Sequence, residues 1–168
     1  MKFLIRDETK ADIDAISAVT EAAFRNHPHS KQTEGFVIHA LRKANALTIS
    51  LVAESDGKIV GHVAFSAVTL SGGSSGWYGL GPVSVLPELQ RQGIGKALIG
   101  EGLSRLKTAD ASGCVLVGDP DYYKRFGFKH VPKLAHEGIP PKYVLGLLFG
   151  NTKPSGTITF HDGFNATS

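Results

Sequence analysis

Leu80-Gly-Pro-Val-Ser-Val-Leu-Pro-Glu-Leu-Gln90-Arg91-Gln92-Gly93-Ile94-Gly95-Lys96-Ala97-Leu98 is the stretch that decides how this chain is read. It opens as an apolar strand, passes Pro87, enters a turn with two glycines one residue apart, and continues as a helix to Lys107. Ile94, Leu98, Ile99, Leu103 and Leu106 recur there at helical spacing. The first N–H groups of a helix have no intrahelical acceptor, and together with the helix dipole they make a site for a phosphate-like anion. Gly93 has no side chain to keep a ligand away from them. Two nucleotide motifs fit badly. A P-loop needs glycine where Gln90 stands and Ser or Thr where Ala97 stands. A Rossmann fingerprint needs a third glycine at Leu98. On glycine spacing alone, a plain loop before a helix explains the segment as well.

Outward from that segment, Lys2 to Arg6 reads as a strand. Lys10 to Phe24 reads as a helix with Ile13, Ile16 and Val19 on one side, and Asp12 and Asp14 in its first turn suit the helix dipole. Asn26-His-Pro-His-Ser30 is a loop, and Thr33 to Ala44 is a second helix. Thr48 to Glu54 and Lys58 to Leu70 are strands, joined by the hairpin signal Asp56-Gly57. Ser71 to Gly76 reads as a flexible connector, and Trp77 to Val85 as a strand. Beyond the central helix lie a short buried strand, Cys114 to Val117, and a short helix, Asp119 to Arg125. The late runs Tyr143 to Phe149 and Gly156 to His161 are expected to close as a hairpin. Hairpins mixed with a strand–helix–strand unit imply an α+β fold with a sheet of mixed direction.

The 168 residues suit one domain, and a chain of this size buries about two-thirds of its unfolded surface. Hydrophobic residues at 42% and charged residues at 20% fit neither a disordered nor a membrane protein. No run is long enough to cross a bilayer, and the start does not read as a signal peptide. A single cysteine, Cys114, excludes an intrachain disulfide and a cysteine-rich zinc site, and a reducing cytoplasm is the simplest home. The net charge of +3 comes from scattered residues, so no nucleic-acid footprint is expected.

Gln90-x-x-Gly93-x-Gly95 resembles the acyl-CoA pyrophosphate signature of the GNAT superfamily of N-acetyltransferases. Val83-Ser84-Val85 before Leu86-Pro87 is similar to that family's cofactor strand and exit turn. Tyr123-Lys-Arg-Phe-Gly127-Phe128 is similar to its later Tyr-x-x-x-Gly-Phe segment. The resemblance implies a GNAT-like acyltransferase domain over 1–168. Its central sheet would be mixed, mostly antiparallel and twisted, splayed between the fourth and fifth strands and flanked by about four helices. It also implies acetyl-CoA as co-substrate and direct transfer of the acetyl group to a primary amine, with amine, thioester and sulfur held in one groove. The acceptor, a small molecule or a peptide, stays open, as does a homodimer; no metal is implied.

Residue by residue, the pantetheine arm would bond the backbone of Val83, Ser84 and Val85. The amides of Arg91, Gln92, Gly93, Ile94, Gly95 and Lys96 would cradle the pyrophosphate, and Tyr123 would hydrogen-bond the departing sulfur. Pro82 lacks an N–H, and beside Gly81 it suggests a bulge that splays this strand from the next. The family's usual asparagine before the tyrosine helix is replaced by Gly118-Asp119-Pro120, where Asp119 reads as an N-cap and Pro120 as the first helical residue. Deprotonating a lysine-like amine at pH 7 costs about 4–5 kcal/mol, so a base is wanted. Glu34, His29 and Asp121, or a water-filled strand groove, are candidates, although Glu34 also suits a helix start. His27 and His29 read as a solvated loop, Cys114 as core, and Trp77 as an anchor of the sheet. The alternative is a non-catalytic acyl-CoA-binding sensor.

Overall fold

The computed structural model describes residues 1–168. The strands are β1 (Leu4–Asp7), β2 (Ile49–Ser55), β3 (Lys58–Ala67), β4 (Thr69–Leu70), β5 (Trp77–Val85), β6 (Gly113–Val117), β7 (Lys129–His130), β8 (Leu134–Ala135), β9 (Val144–Leu148) and β10 (Gly156–Thr159). The α-helices are α1 (Ile13–Phe24), α2 (Glu34–Lys43), α3 (Ile94–Thr108) and α4 (Pro120–Tyr123). Seven strands hydrogen-bond in the order β1-β2-β3-β5-β6-β9-β7 and three in the order β4-β10-β8. The β5–β6 and β10–β8 pairs are parallel. The β1–β2, β2–β3, β6–β9, β7–β9 and β4–β10 pairs are antiparallel. The fold is therefore mixed α+β with a mostly antiparallel sheet, as the order of elements implied.

Residues group into two compact units. The first holds Met1–Phe65, Gly81–Gly102 and Asp162–Ser168. Its β2–β3 hairpin turns on Asp56 and Gly57, at φ 50° and 75°, the paired positive φ values of a tight two-residue turn. Ile16 of α1, Ile38 of α2 and Val52 of β2 form a buried cluster, with Leu47 and Ile59 packed against it. A 3-10 turn, Lys10–Asp12, precedes α1. Asp12 takes two hydrogen bonds from Arg6, at 2.7 and 3.0 Å, and one from the Thr9 N–H at 2.7 Å. The Arg6 guanidinium holds the Asp12 carboxyl well below the usual range. Asp12 thus ties β1 to the start of α1, a more specific role than the dipole effect expected of it. On β3, Gly61 lets α3 approach: a Cβ there would sit 3.0 Å from Leu98 and 3.1 Å from Ile94.

The second unit holds Ser66–Leu80 and Leu103–His161. Its core is Val68, Leu70, Trp77, Val115, Val131, Leu134, Val144 and Ile158. The Trp77 indole N–H donates to Ser74 Oγ at 2.8 Å, so the ring anchors the sheet while its one polar atom is satisfied.

Three expectations are corrected here. The late runs do not pair with each other: β9 lies between β6 and β7, whereas β10 lies between β4 and β8. The run Tyr143–Phe149 is apolar because β9 is an inner strand whose successive residues Val144 and Leu145, on opposite faces, are both buried, and two of the strands involved, β7 and β8, are two residues long and leave no alternation to read. The run Lys58–Leu70 is two strands, broken at Val68, whose N–H bonds Trp77 O at 3.1 Å. The glycine-serine connector is hydrogen-bonded: Gly72 N–H donates to Ser155 O at 3.1 Å, and Ser71 Oγ accepts from Thr157 N–H at 2.7 Å.

Replacing Gly61 by valine forces branched carbons against Ile94 and Leu98. Overpacking of this kind costs about 1–3 kcal/mol, and thermal unfolding of Gly61→Val should show a lowered midpoint with secondary-structure content retained.

Candidate functional site

The second half of β5 departs from regular strand geometry. Gly81 has φ 136°, a conformation that favours glycine, and the Gly81–Pro82 peptide is cis. Pro82 offers no ladder donor. Pairing of β5 with β6 covers Trp77–Gly79 against Gly113–Val115 and stops there, while β6 runs on to Val117 paired with β9 alone. The pairing of the fourth and fifth predicted strands, here β5 and β6, thus ends at Gly79 and Val115.

Val83 and Val85 are half-buried. Ser84 is buried, with its hydroxyl 3.4 Å from Thr20 Oγ1 on α1. The Val85 carbonyl accepts from Gln90 Nε2 at 3.1 Å and keeps a second lone pair. Gln90 entered the reading only as a motif position; in the structure its side chain folds back and closes the turn. Leu86 N–H donates to Val60 O at 3.0 Å, which fixes the strand exit before the 3-10 turn Pro87–Leu89.

Residues 91–96 form one turn entering α3. Arg91 and Gly93 have φ 65° and 91°. A non-glycine residue held left-handed costs about 1–2 kcal/mol, which is strain of the kind found at ligand sites. Ala97 N–H bonds Gly93 O at 3.0 Å, so Gly93 accepts the first helical bond. The N–H groups of Ile94, Gly95 and Lys96 lie ahead of it and point out of the helix end. Ile94 buries its side chain at 1% exposure and holds the turn down, while Arg91, Gln92, Gly93 and Lys96 are exposed and Gly95 half-buried. A Cβ on Gly93 would meet no protein atom within 4 Å, so the position faces outward. A separate cleft of about 460 Å³, lined by Asp12, Glu54, Lys58, Ile59 and others, reaches Leu86 but not residues 91–96. The turn is an open surface, not a cavity.

In the second unit, Asp119 caps α4 by accepting from Asp121 N–H at 2.9 Å, with Pro120 as the first helical residue. Tyr123 packs its ring against Tyr122, Phe126 and Phe128, with centroids 4.9, 6.4 and 6.0 Å away. Burial, then the neighbouring Tyr122 and Asp119, pushes its phenol up to about 12. Tyr123 therefore stays protonated and is a donor. Passing its proton to a thiolate of ordinary pKa near 8.5 is uphill by about 5 kcal/mol. Gly118 makes room for this ring, since a Cβ there would lie 2.6 Å from it. Nothing in the sequence singled out Gly118 for that contact; its signal is a glycine one residue before the cap.

Glu34 is bound locally: both carboxylate oxygens accept from Ser30 Oγ at 2.8 Å, at the start of α2. His27 Nδ1 accepts from His29 N–H at 3.2 Å, closing the same loop. Asp121 is exposed at the start of α4. Cys114 is fully buried, which pushes its thiol well above the usual range and leaves it core, not nucleophile.

Residues 4–131 match the family model described as an acetyltransferase (GNAT) domain. The chain is 36% identical to the uncharacterized N-acetyltransferase YhbS of Escherichia coli K12 over 169 residues, covering 96% of this chain and 98% of that protein. It resembles a crystal structure of a GNAT family acetyltransferase from Brucella melitensis in complex with acetyl-CoA. There the TM-score is 0.87 and the identity 50%, over 97% of this chain and 98% of that one. The Escherichia coli YhbS structure in complex with CoA superposes with TM-score 0.86 and 30% identity, over 100% of this chain and 94% of that one.

Because Tyr123 resists ionisation, the phenolate absorbance of the wild type minus that of Tyr123→Phe should show a group ionising near pH 12. A difference curve with its midpoint near the ordinary value of about 10 would show that the ring is solvated.

Proposed function

This chain belongs to the GNAT acetyltransferases and is an acyltransferase, and from that premise we propose that it moves acetyl from acetyl-CoA directly to a primary amine, with residues 1–168 acting as one catalytic domain. The observation that carries the reading is the turn at the start of α3, where unpaired main-chain donors at residues 94–96 follow the outward-facing Gly93. The amides of residues 91–96 take the diphosphate of the carrier, and Arg91 and Lys96 add exposed charge. Relatives crystallised with acetyl-CoA or CoA support the choice of carrier. The half-buried strand at Val83 and Val85 accompanies the pantetheine arm through its backbone, and Gln90 shares the Val85 carbonyl. The Val83 N–H polarises the thioester carbonyl, a preorganised donor that needs no rearrangement during the reaction. Tyr123 donates a hydrogen bond to the sulfur as negative charge develops on it. Its raised pKa makes it a stabilising donor instead of a full proton source. Holding amine and thioester together supplies much of the rate.

The acceptor is found by thiol release from acetyl-CoA across a panel of α-amino, polyamine and lysine-type amines. Acceptor-dependent release supports the transferase reading, and CoA binding without any release supports a sensor. Gly93→Glu places a carboxylate at the diphosphate, and calorimetry should show CoA affinity falling at least a hundredfold; unchanged affinity would remove the turn from the site. Tyr123→Phe should lower kcat about tenfold or more with acetyl-CoA affinity within a factor of two. Wild-type turnover in that variant would take Tyr123 out of the reaction.

A further inference from the structure

Within the first unit a chain of polar side chains runs from the buried face of the sheet to the surface. His62 on β3 is fully buried, and its Nε2 lies 2.8 Å from Ser50 Oγ on β2. Ser50 in turn donates to Glu8, and Glu8 is gripped by Arg42 of α2 through two bonds of 2.9 Å. The hydrogens can be assigned from this pattern. Ser50 spends its proton on Glu8, so His62 donates Nε2–H to Ser50 and keeps a bare lone pair on Nδ1. No protein atom bonds that Nδ1. A buried imidazole nitrogen without a partner is rare and calls for a reason.

Its position supplies one. Leu86 N–H bonds Val60 O and Val68 N–H bonds Trp77 O, so β5 runs antiparallel to β3, and a Cβ on Gly61 would lie 3.2 Å from Ser84 O, which sets Ser84 beside the Gly61–His62 stretch. A Cβ on Gly61 would point at α3, so His62 points to the opposite face, toward α1, where the Ser84 hydroxyl meets Thr20. His62 therefore sits on the strand beside the residue next to Val83, where the thioester carbonyl is placed under the function proposed above. Ser66, on the same face of β3, has the other buried polar atom without a partner. The far end of the chain, Glu8, lines a cleft of about 310 Å³ with Asp7, Arg42, Asn45, Thr48 and Ser50.

We propose that His62, Ser50 and Glu8 form a proton relay that drains the acceptor ammonium during acetyl transfer, with His62 Nδ1 as its receiving atom. This rests on the transferase reading and supplies the proton acceptor that reading lacks. In the overall reaction the ammonium and acetyl-CoA give the amide, the CoA thiol and one free proton. The relay carries that free proton. It moves from the ammonium to His62 Nδ1, directly or through one water, as Nε2–H passes to Ser50 and the Ser50 proton passes to Glu8. His62 ends as its other neutral tautomer, Ser50 is again a hydroxyl, and Glu8 releases the proton to water in the cleft; after the product leaves, Nδ1–H passes to water in the emptied acceptor site as a proton from the cleft returns through Glu8 and Ser50 to Nε2, which restores the first tautomer. The remaining proton lost by the nitrogen ends on the CoA sulfur.

The charges around the imidazole agree with a relay and disagree with a resting cation. Burial pushes His62 down to about 4, against the pull of Glu8 at 3.8 Å and with the push of Arg42. The ring is therefore neutral at physiological pH and passes a proton without storing one. Burial alone would raise Glu8, but the Arg42 and Ser50 hydrogen bonds outweigh it and hold the carboxyl below its ordinary value, so it recharges at once in water.

The test measures the pH dependence of kcat for the fastest amine of the panel in wild type, Ser50→Ala, Ser50→Thr and Glu8→Gln, with CoA affinity and unfolding midpoint measured alongside. Ser50→Thr keeps the hydroxyl, and Glu8→Gln keeps an acceptor but not a proton sink. The relay predicts that Ser50→Ala and Glu8→Gln each lose at least tenfold in kcat at pH 7. The loss should shrink as pH rises past the pKa of the amine, KM for acetyl-CoA should stay unchanged, and Ser50→Thr should recover activity. Wild-type pH profiles in folded Ser50→Ala and Glu8→Gln would overturn the relay and leave the transferase reading standing. A loss that is equal at every pH, or that follows lowered stability, would make the chain a structural brace and also overturn it. A wild type that turns over no amine would overturn both readings.

Discussion

The arrangement depends on one constraint: the N-terminus of α3 must stay open. A helix end normally finds side-chain caps or water for its first N–H groups. Here Gly93, at φ 91°, gives its carbonyl to Ala97 and offers no capping side chain. The neighbouring features keep that end in place. Ile94 is buried beneath it, Gly61 lets α3 approach β3, and Gln90 folds back onto Val85 to close the turn. Arg91 accepts a left-handed backbone in the same four residues. That strain, about 1–2 kcal/mol, is an appreciable cost against a total stability of about 5–15 kcal/mol, and it leaves a row of oriented main-chain donors.

The same economy governs the chemistry. Direct acetyl transfer needs a polarised carbonyl, a stabilised leaving sulfur and a route for one proton. Under the proposed function, main-chain donors serve the first need, and a phenol kept protonated by burial serves the second. The third is the hardest, because the strand beside the proposed thioester is buried and a charged base there would have to be desolvated. A neutral imidazole bonded to a hydroxyl and a solvent-facing carboxylate avoids that cost, since charge appears only at the wet end.

The sequence was most informative where local physics acts alone. Asp56-Gly57 predicted its turn, Asp119-Pro120 its helix start, and the glycine pair the turn that opens α3. It was least informative where distant segments meet. The strands at Lys129–His130 and Leu134–Ala135 are too short to alternate, so β9 and β10 were assigned to each other instead of to their neighbours. Ser71–Gly76 has the composition of a tether, yet hydrogen bonds to Ser155 and Thr157 from eighty residues away hold it in order. Glu34 attracted notice as an acid near a loop and is engaged by Ser30. Glu8, Ser50 and His62 attracted none, because no spacing in the chain links residues 8, 50 and 62; only strand pairing brings them into line.

The most direct test of the account is the amide spectrum of the protein titrated with CoA. If main-chain donors at the start of α3 grip the diphosphate, the N–H resonances of Gln92, Gly93, Ile94, Gly95 and Lys96 shift most and gain protection from exchange at saturation. If CoA binds while those resonances stay where they were, the anion site lies elsewhere and the account fails.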